Sequence, residues 1–368
     1  MFVPGLELAE GFYRDAVKPI LDDNFPGLKY SAALIGQGSE VLGFDTPTST
    51  DHHWGPRVML FLAPADFVEY REKIRAVLAE KLPPLYRGYS TSFTAPDPAD
   101  NGVQIMRPAA GPVNHRVETF TISGYFTDYL GIDIDKELDA IDWLTLPQQK
   151  LRSIVAGKVF HDVLNLEKVR RKFAWYPPDV WRFILASLWA RIAEEEHLAG
   201  RAGEAGDEVG SDIIALRLVR DIMRLALVMA QQYPPYAKWL GAAFKQTAGS
   251  VELYPVLEEI VHGKSWRERD KYLAKAYTVI AEIHNALGIT EPVPANPVPF
   301  FGRPFTVIKG YNFMTALLEP IKAPWLTPVL RRSPIGSLDV LTDNTDLLED
   351  PLFRPALKEL FKANLPNS

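Results

Sequence analysis

The pattern of apolar and polar positions divides the chain into two differently built parts. Residues 6–21 carry apolar side chains at helical spacing and stop before Pro26, which predicts a helix covering one face of the adjoining strands. "KYSAALIG" (29–36) and the stronger "GPRVMLFL" (55–62) read as strands, and "DFVEYREKIRAVLAEKL" (66–82) reads as a helix with Asp66 as its N-cap. "YRGYSTSF" and "NHRVETFTISGYF" add further strands. From about Leu146 the period changes: "LPQQKLRSIVAG", "PPDVWRFILASLWARIAEEEHLAG", "GSDIIALRLVRDIMRLALVMAQQ" and "SWRERDKYLAKAYTVIAEIHNALG" each combine an apolar stripe with a plausible start and a Gly or Pro stop. Five prolines in 288–304 then predict an extended connector before a short C-terminal segment. The expected class is α+β: a mixed sheet with flanking helices over 1–135, a helical bundle over 146–287, and a connector with a C-terminal segment packed on the helices over 288–368.

Composition changes this picture little. With 47% hydrophobic residues in 368, the chain can bury a core large enough for two domains. A net charge of −6 without a basic run argues against nucleic acid or an anionic membrane surface as partner. No cysteine is present, which excludes disulfides, thiolate catalysis and cysteine-ligated zinc. The start lacks a basic leader followed by an apolar segment, and no apolar window reaches the ~18 residues of a spanning helix, so a cytoplasmic protein is expected.

The candidate chemistry begins at Gly38 and Ser39, which follow the first strand where small residues let backbone N–H groups approach an anion. After eleven intervening residues comes Asp51-His52-His53, directly before the second strand. Read as extended chain, Asp51, His53, Arg57, Met59 and Phe61 share one face, so Asp51 and His53 converge on one ion or phosphate and His52 points away. The alternative is a polar strand start whose histidines cap neighbouring loops.

A Gly-Ser at the end of a first strand, followed by an acidic motif at the head of a second, resembles the nucleotidyltransferase superfamily that includes the aminoglycoside and lincosamide adenylyltransferases. Together with "AGRAGEAGDEVGS" and "YPPYAKWL", the stretch "GSEVLGFDTPTSTDHHWGPRVMLFL" is similar to a group of nucleotidyltransferase-like proteins with a helical half of unknown function. The resemblance implies that Gly38 and Ser39 hold a triphosphate, that Asp51 is the first metal-binding carboxylate, that His53 stands where the second carboxylate falls, and that Glu118 is the third. Arg57 is expected either on the phosphates or in a salt bridge to Asp51 or Glu118. Lys238 is expected to reach the phosphates from the helical half, with Tyr236 among aromatics that stack on a base.

The implied reaction is metal-dependent transfer of a nucleoside monophosphate, AMP foremost, from ATP or another NTP to a hydroxyl of a small-molecule acceptor. Mg²⁺ is the implied ion, with Mn²⁺ or Zn²⁺ as imidazole-tolerant alternatives at His53. Two other readings stand: a nucleotide-binding regulatory protein that has lost transfer, and an antitoxin-type enzyme that modifies a protein. The sequence leaves homo-oligomerisation open.

Elsewhere, Arg217, Arg220, Asp221 and Arg224 form a polar stripe on one helix, which either lines a cleft or makes surface ion pairs. Glu194, Glu195 and Glu196 oppose a helix dipole, which points to a solvated acidic surface or to a cationic ligand or Arg201. Among the remaining histidines only His161, beside Asp162, merits a test.

Overall fold

The computed structural model describes residues 2–100 and 102–362. It is a mixture of helices and a small mixed sheet, and it separates into two compact units. One runs to Glu137 and adds Lys150–Ala174; the other takes Leu138–Gln149 and everything from Trp175 onward.

The first unit opens with α1 (Gly5–Phe12), a π-helical turn (Tyr13–Val17) and α2 (Lys18–Asn24), followed by β1 (Tyr30–Leu34), the short α3 (Ser39–Leu42), β2 (Arg57–Leu62) and α4 (Pro64–Lys81). The two-residue strands β3 (Leu85–Tyr86) and β4 (Tyr89–Ser90) pair only with each other, and β5 (Arg116–Phe120) leads into α5 (Ile122–Leu130). After α6 (Ala140–Leu144) of the second unit come α7 (Gln148–Ala156), β6 (Lys158–Asp162) and α8 (Leu166–Arg171).

The sheet order is β5-β2-β1-β6. β1 runs antiparallel to both β2 and β6, and β2 runs parallel to β5. Both central strands are buried along their whole length, as expected for "YSAAL" and "RVMLFL", which carry side chains that suit two covered faces. One face presents Tyr30, Ala32, Val58, Leu60, Leu62 and Val117 to Phe12, Val17 and Leu21 of the N-terminal helical stretch and to Ile74 and Leu78 of α4. At roughly 1.5–3 kcal/mol per buried large apolar side chain, this layer holds the sheet in place. The other face carries Arg57, Met59 and Phe61, in register with Arg116, Glu118 and Phe120.

Several local expectations need correction. α4 starts at Pro64 behind Ala63, so Asp66 lies in its first turn and is not the cap. The strand expected over "NHRVETFTISGYF" ends at Phe120, because the Thr121 side chain accepts from Gly124 N and starts α5. β6 has no counterpart among the expected strands. It is an edge strand with Lys158 and Asp162 at its ends, and it lies close to β1 because Gly157 lacks a Cβ that would collide with the Leu34 carbonyl oxygen.

The second unit is helical: α9 (Pro178–Glu195), α10 (Leu198–Glu204), α11 (Glu208–Met229), α12 (Ala237–Lys245), α13 (Ser250–His262) and α14 (Trp266–Ala286). Beyond a hairpin of β7 (Val298–Pro299) and β8 (Thr306–Val307) comes α15 (Gly310–Leu318), which packs on α9 through Phe313 stacked on Trp189 at 4.0 Å. Short helices follow; the last, α19 in chain order (Arg354–Lys362) after α16 (Pro328–Arg332), α17 (Leu338–Leu341) and α18 (Thr345–Glu349), pairs Arg354 and Lys358 with Asp142, each at 2.6 Å. No helix among the described residues is long and apolar enough to cross a membrane.

Candidate functional site

The turn that leaves β1 is built on glycine. Gly36 has φ +85, its N–H donates to the Ser153 carbonyl at 3.0 Å, and a Cβ there would strike the Tyr125 hydroxyl. Gly38 has φ +138, and a Cβ would lie 2.5 Å from Glu40 Oε2 and 2.8 Å from Arg57 Nη2. Ser39, half-buried, opens α3, and its carbonyl accepts from Phe44 N at 2.9 Å.

Arg57 stands at the head of β2 and folds under this turn. Its Nη2 donates to the Gln37 carbonyl at 3.0 Å and to the carboxylate of Glu40, and both side chains are buried. The salt bridge expected with Asp51 or Glu118 is therefore made with Glu40.

Arg116 is the register partner of Arg57 at the head of the parallel strand β5, so the two side chains leave the same sheet face. Arg116 Nη1 donates to the His53 carbonyl at 3.3 Å, lies 3.4 Å from His53 Nδ1, and its guanidinium sits 5.9 Å from the Phe93 ring centre. It forms no ion pair among the described residues. Desolvation and then the charge of Arg57 push its pKa below the ordinary arginine value, with Glu118 and Glu40 acting in the opposite sense. Arg57 Nε, Arg116 Nε and Tyr125 Oη are all buried without a hydrogen-bond partner among the described residues. Three unsatisfied donors at one end of one sheet are costly unless something accepts from them.

The Asp-His-His triplet is not part of the strand. Asp51 ends a 3-10 turn (Pro47–Asp51), and its Oδ1 pairs with His52 Nδ1 at 2.8 Å, with the two side chains 60% and 53% exposed. His53 adopts a left-handed conformation, φ 52, and its N–H donates to the Gln104 carbonyl at 2.8 Å. β2 begins only at Arg57, so Asp51 and His53, expected on one strand face, lie outside the strand. Burial, and then Arg116, lower the basicity of the His53 ring. Glu118 is exposed on β5, and Ile122, expected on the same strand face, lies in α5.

The donor set therefore does not fit a divalent ion as it stands. Asp51 is taken by His52, His53 Nδ1 faces a guanidinium, and no group of three or more His, Asp or Glu side chains placed to hold a metal occurs among the described residues.

Within the second unit, Tyr236 donates its N–H to Gln149 Oε1 at 3.0 Å, and the Lys238 ammonium lies 4.9 Å from the Trp239 ring centre. Tyr233 is buried against Trp175 and Tyr176, as packing. The polar stripe of α11 makes ion pairs. Arg217 meets Glu195 at 2.5 Å, Arg191 reaches both Glu195 and Asp221, and Arg220 pairs with Asp221 and Asp343. Arg224 also holds Asp343, at 3.1 Å.

The expected solvated acidic surface is corrected too, since Glu195 and Glu196 are buried. The Glu196 carboxylate accepts from the N–H groups of Ile308, Lys309 and Gly310, at the start of α15, while burial pushes its pKa up to about 7. His161 is structural, its ring 4.9 Å from Tyr30, while Asp162 accepts from Ser31 Oγ and caps α8 through Leu166 N and Glu167 N.

Arg116 and Tyr125 do not stand out in the sequence. The signal for Arg116 is its place as first residue of a strand parallel to β2; nothing in the pattern marks Tyr125. A family model described as a domain of unknown function (DUF4037) matches residues 143–240, a span that contains Tyr236 and Lys238 but none of the groups around Gly38. Comparisons with curated proteins and with solved structures give no match.

Proposed function

We propose that this chain is a nucleotidyltransferase-like protein that binds a nucleoside triphosphate at Gly38, Ser39 and Arg57 and transfers its monophosphate to a hydroxyl of a small molecule. The observation that supports it is the turn itself. Two glycines bring bare backbone to the head of a neighbouring strand whose first residue is a buried arginine. An antiparallel pair β1–β2, joined through this turn and extended by a parallel β5, accords with the resemblance seen in the sequence.

In the reaction the acceptor oxygen attacks the α-phosphorus, and the bond from that phosphorus to the bridging oxygen breaks. Pyrophosphate leaves and the hydroxyl proton passes to a carboxylate, for which Asp51 is the candidate. Arg57 stabilises charge on the phosphoryl oxygens.

A second reading is favoured by the dispersal of Asp51, His53 and Glu118: nucleotide binding without turnover, in a regulatory role. Calorimetric titration with ATP and other nucleoside triphosphates, paired with a pyrophosphate-release assay over a panel of hydroxyl acceptors, separates the two. Transfer predicts release that Asp51→Asn abolishes while the variant melts with the wild type. Binding with no release under any metal supports the second reading, and no nucleotide binding at all sinks both.

A further inference from the structure

The head of the sheet holds two guanidiniums and, within ion-pair distance, one carboxylate. Arg57 is neutralised by Glu40, whereas among the described residues the Arg116 guanidinium meets the carbonyl and ring of His53 and the face of Phe93 and no carboxylate. Two cations in adjacent register positions repel, and a half-buried one without a counter-ion is unfavourable. The sequence nevertheless places arginine at both strand heads. Each leaves its Nε–H unsatisfied, and the Tyr125 hydroxyl, on the helix that follows β5, is a third buried donor without a partner.

We propose that Arg116, with Arg57 and Tyr125, forms a seat for a polyphosphate chain that works without a divalent ion. Guanidinium groups bind phosphate oxygens through paired N–H donors, and a phosphoryl group supplies several acceptors at once. The same residues explain why the metal donors are scattered. His53 Nδ1 is turned toward Arg116, so the position that the resemblance gives to a carboxylate ligand is occupied by a group that orients a cation.

This inference rests on the nucleotide reading for its ligand but not for its test. The probes are inorganic tripolyphosphate and ATP, titrated calorimetrically into the full chain, first with EDTA and then with excess Mg²⁺. The wild type is expected to bind both in EDTA, Arg116→Gln to weaken each by roughly tenfold or more, and Arg116→Lys to recover part of the loss. Circular dichroism melts show whether the variants fold, and wild-type binding in EDTA decides the matter if they do not.

Binding that appears only with Mg²⁺, or that Arg116→Gln leaves unchanged, overturns the seat and leaves the nucleotide reading standing. Tripolyphosphate binding without ATP binding supports the seat and removes the nucleotide reading. If neither ligand binds with or without metal, both fail.

Discussion

Two regions rich in arginine treat their charges in opposite ways. On α11 of the helical unit, Arg217, Arg220 and Arg224 each meet a carboxylate, and Asp221, almost fully buried, is shared by Arg191 and Arg220. At the sheet head of the other unit, Arg57 has one partner and Arg116 has none among the described residues. Residue type does not separate these regions, since both set arginines near acidic residues in the sequence, Asp51 and Glu118 at the sheet head and Asp221 on α11. Completion does. A network whose charges are matched within the chain stabilises the fold, and one left short of an anion is suited to receive one.

The contrast breaks most sharply at Asp221. Asp221→Ala leaves two guanidiniums without their shared carboxylate and is expected to cost about 2–3 kcal/mol by urea denaturation, near or below the usual loss for a buried pair because both arginines reach solvent. A loss under about 0.5 kcal/mol means the α11 network is ornamental and the comparison collapses.

At the sheet head, Gly38→Val forces a β-branched residue to φ +138 and a methyl-bearing carbon into Glu40 and Arg57. It is expected to cost about 1–3 kcal/mol and to remove polyphosphate binding. Retained binding rules out the turn as the anion site.

The pH dependence tests how complete the matching is in the helical unit. Glu196 is shifted up from 4.5 to about 7 by burial, so the folded state holds an extra proton in that window and stability falls as pH rises through it. His284, fully buried between Trp189 and Thr290, is shifted down from 6.5 to about 4, so its contribution is lost as pH falls through that window. The two slopes oppose between pH 4.5 and 6.5. Asp270 and Asp339, whose pKa burial raises to about 6, act in the same sense as Glu196, so Glu196→Gln is expected to lose less stability than the wild type as pH rises from 4.5 to 7, by up to about 1.4 kcal/mol per pH unit. Parallel profiles for variant and wild type would refute the pairing.

The smallest expected effect is the most pointed. Arg116→Gln removes an uncompensated charge and is expected to leave stability unchanged or to raise it by up to about 1 kcal/mol, whereas Arg220→Gln, which loses Asp221 and Asp343, lowers it by about 1 kcal/mol. Equal losses at both positions erase the distinction between the regions.

The central strands and long helices are legible because their patterns are local: "RVMLFL" is continuous and apolar, and α9, α11 and α14 keep a helical period over five turns or more. β6 is not, since a five-residue edge strand with charged ends carries little periodicity and is held by its pairing with β1. The Gly38 turn and Arg57 can be picked out from spacing. The convergence of Asp51 with His53 cannot be tested that way, because it assumes extended backbone where the chain makes a 3-10 turn.

The sequence by itself determined that the two central strands and the long helices form, and that glycine stands where the chain leaves β1. It could do so because dihedral preference and hydrophobic period act over a few residues. Only the tertiary structure decided that Arg116 stands beside Arg57, that Glu40 satisfies one of them, and that Asp51 turns to His52. Those outcomes depend on strand register and on contacts between residues distant in the chain, where charge pairing is settled by geometry rather than by spacing.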